Sequence, residues 1–141
     1  MSWLLDTCIV SELVRPKPAA SVVGWINERD EGDLFLSVIT IGELEKGIAR
    51  LADSARRKAL EQWVRIELAE RFSGRLLGID AAVAARWGAF VGKSESRGEP
   101  LPVIDSLIAA TSLQHELTVV TRNTGDLERC GARCFNPWLR S

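Results

Sequence analysis

The sequence is poor in the residues that build most metal and redox centres. It has one histidine, His115, and three cysteines, Cys8, Cys130 and Cys134. A four-ligand zinc site is hard to assemble from that set. An odd, sparse group of cysteines is also a poor disulfide framework and points to buried free thiols in a reducing compartment. No apolar run reaches membrane-spanning length, and Asp6 interrupts the first apolar stretch before a signal peptide forms. A soluble, cytoplasmic protein without a membrane partner is the expectation. No G-x-G-x-x-G follows the first apolar segment, which disfavours a dinucleotide site. Positive charge is not in excess either. Lys plus Arg number 18 against 19 Asp plus Glu, a net charge of −1, which argues against a polycationic coat for nucleic acid. Internal repeats, low-complexity tracts and linkers are lacking.

What is present fits one domain over residues 1–141. Short apolar segments alternate with helical patterns. Trp3-Leu4-Leu5, Leu34-Phe35-Leu36, Leu76–Ile79 and Thr118–Thr121 read as strands, and Arg133-Cys134-Phe135 as a further edge strand. Helices are expected over Ile9–Val14, from Ser21, over Ile41–Leu51 behind a Thr40/Glu43 capping box, from Ser54 to about Phe72, from Asp80 to about Lys93, and from Asp105. Ser94–Pro102 reads as a loop. Five tryptophans stand against no tyrosine. Trp25, Trp63 and Trp87 lie on helical patterns as core residues, or as contacts to a partner. The predicted class is α/β, a parallel sheet of four to five strands with helices on both faces. Ligands of such sheets bind beyond the carboxyl ends of the strands.

That edge is acidic. Asp6 ends the first strand inside an apolar run, Glu43 follows the second by a helical turn, Asp105 is flanked by Val103-Ile104 and Leu107-Ile108, and Asp126 follows the fourth. Each has an ordinary alternative: Asp6 as an N-cap, Glu43 as the capping-box acid, Asp105 as a helix N-terminal acid, Asp126 as a turn residue. A buried carboxylate is costly unless paired, protonated or metal-bound, and several together repel. A hard divalent cation removes that penalty, and oxygen-only ligands favour Mg²⁺ or Mn²⁺. Such a site suits phosphodiester hydrolysis. Thr7, Ser106, Thr121 and Asn123 are candidates to hold waters on the metal or to orient the carboxylates.

At these residues the sequence resembles the PIN-domain family, and within it the VapC-type toxins of toxin–antitoxin pairs. The resemblance rests on Leu4-Leu5-Asp6-Thr7-Cys8-Ile9-Val10-Ser11-Glu12-Leu13, Ser37–Leu44, Asp105–Thr111, Val120–Leu127 and Phe135-Asn136-Pro137-Trp138, in that order along nearly the whole chain. It implies a metal-dependent endoribonuclease acting on RNA. Asp6, Glu43 and Asp105 take the places of metal-ligand carboxylates. Many relatives carry Asp where Asn123 stands; Asp126 is assigned the fourth acidic place, with Asn123 supporting it. The resemblance also implies a homodimer, inhibition by a small VapB-type antitoxin lying across the groove, and operator DNA bound through that antitoxin.

Charge placement adds a candidate phosphate face. Residues 1–49 carry a net −4 and residues 50–75 a net +3. Arg50, Arg56, Arg57, Lys58 and Arg65 make up that face, or else a solvated helix surface. Arg122 has the same two readings. Two other functions compete: a phosphatase or phosphotransfer protein on a similar sheet, and an inactive interaction module with the same fold. A nucleophilic-aspartate phosphatase wants a second Asp two residues after Asp6, where Cys8 stands.

Overall fold

Successive side chains of a strand point to opposite faces, and four of the five strands use the alternation to feed two cores. Leu5, Leu34, Leu36 and Val120 face one layer; Leu4, Phe35, Val119 and Cys134 face the other. The computed structural model describes residues 1–139. Its strands are β1 (Trp3–Leu5), β2 (Leu34–Ser37), β3 (Leu76–Leu77), β4 (Thr118–Val120) and β5 (Cys134–Phe135). All neighbours are parallel, in the order β3-β2-β1-β4-β5. The α/β parallel sheet expected from the sequence is therefore present, with five strands.

Helices fill both layers. On one face lie α1 (Thr7–Leu13), α2 (Ala20–Asn27), α3 (Val38–Ala49) and a helical rod made of α4 (Ala55–Gln62), a π-helical stretch over Trp63–Leu68, and α5 (Ala69–Arg71). Ile9, Val22, Trp25, Leu44, Ile48, Val64 and Leu68 carry their apolar contact with the sheet. The other core gathers Ile108 and Ala109 of α7 (Val103–Gln114) and Leu127 of α8 (Thr124–Arg129), with Phe90 of α6 (Ala81–Ser96) against it. Trp25 is buried against Trp3 and Phe135, as its helical spacing predicts.

Several boundaries differ from the sequence reading. The cap of α3 is Ser37, whose hydroxyl accepts from Ile39 N, so Thr40 lies inside the first turn and Glu43 a turn beyond. Ser37 is fully buried at the end of β2, and its hydroxyl finds its partner there. Helix α2 starts at Ala20 rather than behind Ser21, its missing cap replaced by Glu12, which accepts from Ala19 N at 2.9 Å. Helix α6 runs to Ser96, three residues beyond the expected end. Helix α7 begins right after Pro102 and places Asp105 in its first turn.

The chain leaves β1 toward β2 and β3 on one side, and later adds β4 and β5 on the other. The order reverses between β1 and β4, the crevice where open α/β sheets bind ligands. Asp6 follows β1 there and Thr121 follows β4.

Candidate active site

Asp6 continues β1 by one more backbone bond, from its N–H to Val120 O, and then caps α1. Its Oδ1 accepts from Thr7 N at 2.8 Å and its Oδ2 from Thr121 Oγ1 at 2.8 Å. Both oxygens are thus held in one orientation. Burial pushes the Asp6 carboxyl above its ordinary value; the bonds from Thr121 and Thr7 oppose that, and the charge of Glu43 adds to it.

Glu43 comes from α3 and accepts from Thr7 Oγ1 at 2.5 Å. A single residue, Thr7, therefore ties two carboxylates together, Asp6 through its backbone and Glu43 through its hydroxyl. Thr121 is fully buried; besides donating to Asp6 it accepts from Asn123 N at 3.0 Å. Asn123 in turn brings its amide to Asp105 at 3.5 Å and to Asp126 at 3.4 Å. Asp126 also meets Arg129 at 3.2 Å. Burial raises the Asp105 carboxyl, and the charges of Asp6, Asp126 and Glu43 raise it further. Four carboxylates from four separate elements thus share one field.

Of the four polar residues expected to support them, Thr7, Thr121 and Asn123 bond to site carboxylates. Ser106 does not. Its hydroxyl donates to Val103 O at 2.8 Å and accepts from Trp87 Nε1 at 2.9 Å, in a residue only 1% exposed. Both bonds lie within α7 and between α7 and α6, not at a site carboxylate. Trp87, read as a core residue, supplies that bond. Nothing in the local pattern announces it, because the two residues are 19 positions apart.

The basic face is also smaller than its sequence. Arg57 bonds Glu61 at 3.0 Å and Leu51 O at 2.9 Å, and Arg65 bonds Glu45 at 3.0 Å. Arg122 lies over the Trp138 ring at 4.1 Å. Arg56 instead lines a groove of about 930 Å³ that starts at Thr7 and Glu43. Its walls are mostly apolar, from Leu44, Ile48, Leu51, Leu60 and Trp63, with Arg15 also on the lining.

The donor set fits a hard divalent cation. Among the described residues, Asp6, Glu43 and Asp105 have no ion pair with Lys or Arg. Burial pushes the thiols of Cys8, Cys130 and Cys134 up, Cys134 to about 11, so they stay protonated and leave oxygen as the donor. Among the described residues no three His, Cys, Asp or Glu side chains form a ready-made metal cage. Mg²⁺ does not require one, since it is commonly bound through one or two carboxylates and keeps several waters.

The chain matches the PIN domain model over residues 3–131. It belongs to the PIN-domain family. Toxin FitB of Neisseria gonorrhoeae is 37% identical to this PIN protein over 135 residues, 96% of this chain and 97% of that one. VapC ribonuclease Y4jK of Sinorhizobium fredii is 31% identical over 96% of each. A solved structure of FitAB bound to an IR36 DNA fragment superposes with a TM-score of 0.89 at 34% identity, covering 99% of this chain and 97% of that one. The PIN fold expected from the four sequence motifs is thus established for this chain.

Proposed function

We propose that this PIN protein is an endoribonuclease toxin that works with Mg²⁺ or Mn²⁺ and is silenced by a cognate antitoxin. The observation that carries this is the shared field at Asp105. Asp6, Glu43 and Asp126 all raise its carboxyl, and they come from separate elements gathered at the carboxyl end of the sheet. When bound, a divalent ion supplies neutralising charge for the phosphate and a more acidic water. The chain's own residues do the rest. Thr7 and Thr121 fix both Asp6 oxygens, Thr7 holds Glu43, and the Asn123 amide lies between Asp105 and Asp126.

Relatives named as a toxin and as a VapC ribonuclease support the activity, and the structure of FitAB bound to an IR36 DNA fragment supports an assembly that binds DNA. The groove that begins at Glu43 suits such a partner, because apolar walls reward a peptide's side chains more than a phosphate backbone. Val38 at the start of α3 and Val103 and Ile104 at the start of α7 are exposed apolar residues on helices that pack together. We assign them to the face of a homodimer.

The test is RNA cleavage by the purified protein with Mg²⁺ or Mn²⁺, with chelator, and with stoichiometric antitoxin. Chelator and antitoxin each stop it. Asp6→Asn and Asp105→Asn each lower the rate by more than about 100-fold, the scale on which one polar contact to a reacting group acts, while the circular dichroism spectrum is unchanged. Undiminished cleavage by both variants rejects the assignment.

A further inference from the structure

Asp105 is the least supported of the site carboxylates. Among the described residues its side chain accepts one hydrogen bond, the 3.5 Å contact from Asn123. Its place is therefore set by the first turn of α7. The backbone closes that turn once, Ser106 N donating to Pro102 O at 2.9 Å, and side-chain supports at its outer end are few. Its N-cap, Pro102, makes no side-chain cap bond. Within one protomer Val103 and Ile104, which precede Asp105, are 61% and 38% exposed, so the chain's own packing holds them little, and the homodimer face assigned to them would cover only their outer side.

The support comes from inside. Ser106 is buried next to Asp105 and closes the turn by donating to Val103 O. A hydroxyl in that bond keeps its lone pairs for acceptance, and the Trp87 indole N–H fills one at 2.9 Å. Trp87 stands in the middle of α6, which packs along α7. An indole N–H donates and never accepts, so this contact has one direction and one geometry. Phenylalanine keeps the packing of one ring and loses the bond together with the smaller part of the indole.

We propose that Trp87 is a positioning residue for the active site: its indole N–H locks Ser106, and through Ser106 the turn that presents Asp105. The inference rests on the reading of Asp105 as a metal-holding carboxylate. It assigns Trp87 no contact with substrate.

The test compares Trp87→Phe, Ser106→Ala, the double variant and Asp105→Asn by calorimetric Mn²⁺ titration, hydrogen exchange of the metal-free protein, and RNA cleavage kinetics. Trp87→Phe and Ser106→Ala each weaken Mn²⁺ binding about 3- to 10-fold, the equivalent of one net hydrogen bond. The double variant is no worse than Ser106→Ala alone, because that substitution already removes the acceptor of the Trp87 bond as well as the bond to Val103 O. Amides around residues 105–107 exchange faster by a similar factor without metal, while those of α1 are unchanged. For RNA, kcat falls and KM holds, unlike a general loosening, which moves both along with the melting temperature. If both variants bind Mn²⁺ and exchange as the parent does, Trp87 only packs, and the proposal is wrong. Where Trp87→Phe fails to fold, Ser106→Ala still tests the link, because it removes both the bond to Val103 O and the acceptor of Trp87, and unchanged Mn²⁺ affinity in it overturns the proposal. If Asp105→Asn itself leaves Mn²⁺ affinity unchanged, the reading of Asp105 fails first, and the proposal with it.

Discussion

Asp105 lies within reach of three other carboxylates and among the described residues has no cation paired with it. Its carboxyl is raised above the ordinary 3.8, first by burial and then by those charges. An acid whose pKa rises on folding holds its proton more tightly in the folded state. That contribution to stability is fully present below the unfolded value and is lost as pH rises through the folded one. Asp105→Asn keeps the neutral state at every pH. In chelator, the variant should melt above the parent at about pH 7, and the gap should narrow as pH falls toward about 4.5. Thermal melts across that range check it; a gap that is constant or widens at low pH overturns the electrostatic account. Asp6 and Asp105 stood out as candidates because each interrupts an apolar run, and Glu43 and Asp126 because each follows a strand by a short helix or turn. The function of Ser106 was not legible. A hydroxyl beside a site acid looks the same in sequence whether it faces the metal or the neighbouring helix, and only the approach of Trp87 decides.

Two helices show how a cap differs from a site. Asp6 and Asp80 both precede a helix and both accept from its first backbone N–H groups. Asp80 does this alone, in an exposed position, with Oδ1 on Val83 N at 2.9 Å. Asp6 is 8% exposed and is further tied to Thr121 across the β1–β4 crevice. Asp80→Ala should therefore cost about 1 kcal/mol of stability and leave Mn²⁺ titration and RNA cleavage unchanged. Asp6→Asn should do the reverse, abolishing both while shifting stability little. Urea unfolding alongside the two assays separates them; loss of metal binding in Asp80→Ala would mean that α6 transmits cap loss to the site. At this scale strand positions were readable, since alternation toward two cores leaves a strong pattern. Helix starts were less so. Ser37 and Thr40 are both capping residues three positions apart, and the bond that Ser37 Oγ accepts from Ile39 N chooses between them. The π-helical stretch of Trp63–Leu68 left no local mark, because every residue in it also suits an α-helix; the burial of Val64 and Leu68 against the sheet accompanies it.

For the whole molecule the small net charge hides an uneven distribution. Setting aside Asp6, Glu43, Asp105 and Asp126 turns the net −1 into +3. Much of the remaining positive charge is already engaged: Arg65 on Glu45, Arg71 and Arg75 on Glu31, Arg57 on Glu61. A broad basic surface is thus not what this fold offers a polyanion, which is why the proposed function gives the phosphate a bound cation at the acidic edge. The same argument makes the folded state a better ligand for a divalent cation than the unfolded chain, where these carboxylates are far apart. A ligand that binds only the folded state stabilises it by RT ln(1 + [L]/Kd), about 1.4 kcal/mol at ten times Kd. Mg²⁺ or Mn²⁺ should therefore raise the melting temperature by a few degrees. Sodium chloride at matched ionic strength should not, because screening alone acts on exposed pairs and weakly. Asp6→Asn and Asp105→Asn should flatten the response to the divalent ion, and Asp80→Ala should keep it on a lower baseline. A rise of equal size with sodium chloride, or one that survives in both site variants, would place the stabilising charge outside the crevice between β1 and β4.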